Sequence, residues 1–142
     1  MNEFIDFLLK NWALTALFFC LLISVFVYEA RNQGFGSKID AASLVQKMNN
    51  DATKIYDIRS ATAFQSGHIS GSKMIAEDKI KSDMSNLVSE DKVTVLVCDN
   101  GQKSGALVGQ LKKQMKGRDI VLLSGGVSEW KRQNLPLKKG KK

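Results

Sequence analysis

The stretch Lys92–Ser104, KVTVLVCDNGQKS, decides the fold class. Its first half is β-branched and apolar on both alternating faces. A strand that needs cover on both sides belongs inside a parallel sheet. Asp99–Ser104 is a tight glycine loop. GALVGQLKKQMK (105–116) follows with the spacing of an amphipathic helix that begins near Ser104. Outward from this core, DIVLL (119–123) is a second strand, followed by the turn SGG and a short helix, VSEWKRQ (127–133). Upstream, KIYDI (54–58) is a short strand. DAASLVQKMNN places Leu44, Val45 and Met48 at helical spacing behind an N-cap candidate, Asp40. The segment Arg59–Ser72 is turn-rich, and KIKSDMSNLV (79–88) reads as one or two short helices. Strands alternate with helices, so the expected fold is α/β with a mainly parallel sheet flanked by helices.

The same stretch carries the chemistry. Cys98 falls at the carboxyl end of the central strand, where open parallel sheets bind their ligands. A loop that curls onto a helix N-terminus aims backbone N–H groups inward and makes an anion cradle. A sulfur there has its thiolate favoured by those donors and by the helix dipole, and the thiolate is the nucleophilic form. Lys103 adds a cation nearby. On this local pattern alone, Cys98 is equally well the last apolar residue of VTVLVC.

Four segments extend the pattern. IYDIRS (55–60) contains Asp57 and Arg59, FQSGHISGS (64–72) contains His68, CDNGQKS (98–104) contains the cysteine, and LLSGGVSEWKRQNLPL (122–137) contains Gly125, Gly126 and Trp130. In this order and spacing they resemble the rhodanese-like domain over about residues 38–137. The resemblance implies that Cys98 takes a sulfane sulfur from a donor, holds it as a persulfide and passes it to a thiol or other nucleophile, with no cofactor and no metal. It implies that the loop Asp99, Asn100, Gly101, Gln102, Lys103 and Ser104 holds the terminal sulfur. Asp57 and Arg59 are expected to pair beside the strand–loop junction. His68, the single histidine, is expected in a turn. Gly125 and Gly126 are expected to allow positive φ and a close backbone approach to the loop, and Trp130 to pack in the core. Lys103 stands where the family usually has Arg, so the planar fork that grips oxyanions is missing. Asp99 puts a carboxylate beside the nucleophile. Like charges about 5 Å apart at an effective dielectric near 20 repel by roughly 3 kcal/mol before screening. Thiosulfate is therefore expected to be a weak donor.

Residues 11–28, NWALTALFFCLLISVFVY, contain no charge, with Lys10 before them and Glu29 and Arg31 after. As a helix they would span about 27 Å, close to the hydrocarbon thickness of a bilayer. Trp12 and Tyr28 lie at the two ends, where amphipathic aromatics favour the headgroups. A cleaved signal peptide fits poorly, because Glu3 and Asp6 precede the run and no small-x-small pair follows it. A buried core helix fits poorly too, because the run has no polar face and a helix of a small domain needs a wet side. The expected organisation is a transmembrane anchor (1–30), a linker (31–37), the folded domain (38–137) and a basic tail (138–142). Beyond residue 30 the chain holds 20 basic and 11 acidic side chains. Such charge suits anionic lipid headgroups. No nucleic-acid motif accompanies it, so nucleic acid is not expected. Lys10 precedes the span and Arg31 and Lys38 follow it. The positive-inside rule then puts the domain in the cytoplasm, on an inner-membrane single-pass protein. Cys20, mid-span, cannot reach Cys98, so no disulfide is expected in the domain. A membrane-protein partner is compatible with such an anchor.

Two other function classes fit parts of this pattern. One is a rhodanese-fold scaffold with little catalysis, for which the changes at Asp99 and Lys103 speak. The other is a phosphatase or arsenate reductase of related fold. That reading ranks last, because four residues separate Cys98 from Lys103 and those enzymes need a longer loop ending in Arg.

Overall fold

The computed structural model describes residues 6–7, 9–32 and 36–140. The chain divides into two compact units, Met1–Gly34 and Phe35–Lys142. The first contains helix α1 (Trp12–Asn32). Its large apolar side chains are exposed all round, among them Leu14, Phe18, Phe19, Leu21 and Phe26. The helix expected over residues 11–28 is present as Trp12–Asn32. Among the described residues no helix is long and apolar enough to cross a membrane.

The second unit is an α/β domain. Its elements are β1 (Lys38–Ile39), α2 (Ala41–Asn49), β2 (Thr53–Asp57), α3 (Ala61–Ser66), β3 (Lys73–Met74), α4 (Glu77–Ser82), α5 (Met84–Leu87), β4 (Val93–Val97), α6 (Gln102–Gln114), β5 (Ile120–Leu123) and α7 (Gly126–Arg132). The five strands form one sheet in the order β1-β5-β4-β2-β3, and every neighbouring pair is parallel. The period-two alternation of a strand sorts its side chains onto two cores. Val95, Val97, Val121 and Leu123 join Leu44 of α2 and Val127 and Trp130 of α7 on one face. Leu96, Ile120 and Leu122 join Leu107, Val108 and Leu111 of α6 and Ile80 of α4 on the other. β4 lies in the middle of the sheet and is buried on both faces from Thr94 onward, which is why VTVLV has no polar alternation.

Local signals account for several boundaries. The Asp40 carboxylate accepts the Ser43 amide at 3.1 Å and caps α2. Helix α3 lies within the segment read as turns. Its signal is the Ser60 hydroxyl, which accepts the Ala63 amide at 3.3 Å. Helix α6 begins at Gln102, two residues before the expected Ser104. Strands β1 and β3 were not foreseen, because two residues show no periodicity. The tail does not leave the domain at residue 138. His68 and Lys138 exchange both backbone hydrogen bonds, at 2.9 and 2.8 Å, and the Gly140 amide reaches Gln65 O.

Candidate active site

The order β4-β2 places the carboxyl ends of these strands side by side. Cys98 follows β4 directly, and Ile58 and Arg59 follow β2. The Ile58 amide donates to Val97 O at 2.9 Å, so the two chain exits are hydrogen-bonded to each other. Beyond them lies a cleft of about 290 Å³, lined by Ile58, Arg59, Ser60, Cys98, Asp99, Asn100, Gln102 and Lys103.

Cys98 is 3% exposed. Its Sγ accepts the Gly101 amide at 3.1 Å and the Ser104 amide at 3.5 Å. Ser104 Oγ lies 3.2 Å from Sγ and 3.3 Å from Gly101 O. With a neutral thiol, S–H donates to Ser104 Oγ, whose own proton goes to Gly101 O. With a thiolate, that proton turns to sulfur. The site therefore satisfies both charge states with one hydroxyl rotation. Both amides lie at the N-terminus of α6, so the helix dipole adds to the anion preference. Of the loop amides expected to hold sulfur, these two reach it. The Gln102 amide is engaged by Asn100 Oδ1 at 3.1 Å. Lys103 is exposed.

Two glycines fit the loop against α7. Gly101 takes φ +86°, and a Cβ there would lie 3.3 Å from Gly125 N. Gly126 has φ +59°, and a Cβ would lie 2.2 Å from Cys98 O and 2.7 Å from the Asp99 carbonyl. Only glycine allows this approach. The first amides of α7 use it: Val127 donates to Cys98 O and Ser128 to Asp99 O, each at 2.9 Å. Gly125 takes φ +69° at the preceding turn.

Asp57 is fully buried and forms a two-pronged pair with Arg59. Arg59 Nη2 donates to Asp57 Oδ2 at 2.7 Å, and Nε lies 3.0 Å from Oδ1. Arg59 Nη2 also donates to Gly67 O at 2.8 Å. Burial works against the Arg59 charge, but Asp57, and then Asp99, more than reverse it, and the pKa stands above the ordinary arginine range. Trp130 is buried and its indole donates to Pro136 O at 3.0 Å, a core role. His68 lies outside the cleft. Its Nδ1 is 3.0 Å from Phe64 O, and its ring stacks on Phe64 with centroids 3.9 Å apart.

Sequence reasoning placed Arg59 in the framework alone. It also lines the cleft, and its Nη1 lies 3.6 Å from Asp99 Oδ1. Asp99 in turn is 73% exposed at its side chain. The repulsion expected from Asp99 is reduced on both counts, by water and by an opposite charge.

The rhodanese-like domain family matches residues 40–133. The chain belongs to that family. At 27% identity over 147 residues, it is similar to the uncharacterized protein YibN of Escherichia coli, with 99% of this chain and all of that one aligned. Over 92 residues it is 27% identical to the thiosulfate sulfurtransferase GlpE of Pseudoalteromonas translucida, covering 65% of this chain and 86% of the relative. Among solved structures, a rhodanese-related protein of Thermoplasma volcanium superposes with a TM-score of 0.63 at 26% identity, covering 72% of this chain and 97% of that one.

Proposed function

We propose that the protein is a sulfurtransferase that carries sulfane sulfur on Cys98. The observation behind this reading is the Sγ environment: two amides and a hydroxyl converge on the sulfur at a helix N-terminus, beside an open cleft. The Cys98 thiolate attacks the sulfane sulfur of a donor. The new S–S bond forms as the donor's bond to that sulfur breaks, and the electron pair leaves with the donor, as sulfite when the donor is thiosulfate. The persulfide's terminal sulfur is then attacked by an acceptor thiolate, and the Cys98 thiolate departs with the pair from the broken S–S bond. The loop donors that stabilise the thiolate are positioned to stabilise it again as the leaving group. Relatives that include a named thiosulfate sulfurtransferase support the chemistry at the level of the family. Thiosulfate is the weaker class of donor in this reading, because Lys103 replaces the forked Arg and Asp99 stands at the cleft.

The proposal includes a membrane anchor at residues 11–28. It is supported by the uncharged run and the helix without a polar side. The domain would face the cytoplasm, with its donor and acceptor, small molecules or protein thiols, arriving there and with anionic lipid near the basic tail. The exposed Lys103 favours a second reading, a membrane-side binding module with little catalysis.

One experiment separates them. Full-length protein is incubated with thiosulfate, a persulfide or a polysulfide and weighed by mass spectrometry. The expected result is a gain of one sulfur atom on Cys98, absent in Cys98→Ser. No gain with any donor leaves the binding module.

A further inference from the structure

Sulfur transfer as derived above makes no use of Arg59, although Arg59 lines the same cleft as Cys98. Its side chain is 3% exposed. Nε is taken by Asp57, and both hydrogens of Nη2 are taken by Asp57 and Gly67 O. Nη1 is different. Among the described residues its one polar contact is Asp99 Oδ1, at 3.6 Å, longer than a hydrogen bond. The two partners also differ in mobility. Arg59 is clamped by Asp57. Asp99 has its backbone pinned by Ser128, but its carboxylate is mostly in water and can rotate away.

We infer that Arg59 Nη1 is the anion handle of the Cys98 cleft and that Asp99 is its displaceable counter-ion. A sulfur donor bearing an oxyanion takes the place of the Asp99 carboxylate on the guanidinium. Arg59 thereby supplies, from the segment after β2, the planar charge that Lys103 does not supply from the first turn of α6. Asp99 makes each such donor compete with an attached carboxylate, so it sets specificity through affinity rather than through chemistry. The inference rests on the sulfurtransferase reading and names the group that holds an oxyanion-bearing donor, with Asp99 as the competitor that makes such donors the weaker class.

The test uses full-length protein in detergent micelles, with Cys98→Ser to stop turnover and thiosulfate as the probe. Asp99→Asn should tighten thiosulfate binding by up to about fivefold, the span of an exposed ion pair. The ¹⁵N resonances of the Arg59 guanidinium should shift as thiosulfate saturates. With Cys98 present, Asp99→Asn should lower KM for thiosulfate by the same factor. Unchanged binding in Asp99→Asn overturns the inference. So does a silent Arg59 while the Lys103 ammonium responds. If Cys98 takes up no sulfur from any donor while the binding results appear as stated, the sulfurtransferase reading fails and the Arg59 assignment stands.

Discussion

At the scale of single residues, Ser104 and Asp57 have separable duties. Ser104 offers sulfur a hydroxyl at 3.2 Å and is fully buried. Ser104→Ala removes that donor while keeping the amide. Hydrogen bonds to charged groups are worth about 1.5–3 kcal/mol, and sulfur is a softer acceptor than oxygen. The expected result is a fall of about tenfold in the rate of sulfur loading on Cys98, read by rapid-quench mass spectrometry, with the fold intact by circular dichroism. Asp57→Asn acts on stability instead. It leaves the Arg59 charge buried with one exposed carboxylate and a carbonyl for company. Removing one member of a buried pair costs about 3–5 kcal/mol, and urea unfolding should show a loss of that order. The position of Cys98, between the strand and the loop, was legible in the sequence because strand, loop and helix are contiguous there. The place of Arg59 in the cleft was not, since it depends on β2 lying beside β4, a pairing between residues some 40 positions apart.

At the scale of elements, the loop after β4 is held from below by α6 and from the side by α7. The second contact exists only because residue 126 has no Cβ. Gly126→Ala meets three backbone atoms and a left-handed φ at once, and the strained φ alone costs about 1–2 kcal/mol. The variant should melt at lower temperature and lose sulfur loading more than its stability loss explains, because Cys98 O and Asp99 O lose their amide donors. Loading measured well below the melting temperature checks this. The longer elements were readable because β4 and β5 are apolar, β-branched runs and α6 buries one face at helical spacing. Helix α3 was not, for its six residues bury none, so no apolar period shows.

At the scale of the whole molecule, every residue of the two cores lies at or beyond Ile39. Residues 35–142 should therefore fold without the first unit, with a cooperative thermal transition. On flotation with lipid vesicles, the full chain should rise with the lipid whatever its charge. The fragment should rise only with anionic vesicles and let go as salt exceeds about 0.15 M, where the screening length is about 8 Å. Binding of the full chain that salt reverses in the same way would argue against the anchor. The sheet has a further consequence if the proposed anchor concentrates the protein on a surface. Both of its margins, β1 and β3, are two residues long. A sheet margin is a template on which a foreign strand can grow, and crowding in two dimensions multiplies the encounters. Here a visiting strand finds only two residues to copy at either border, so neighbouring molecules can be packed closely without being stitched together.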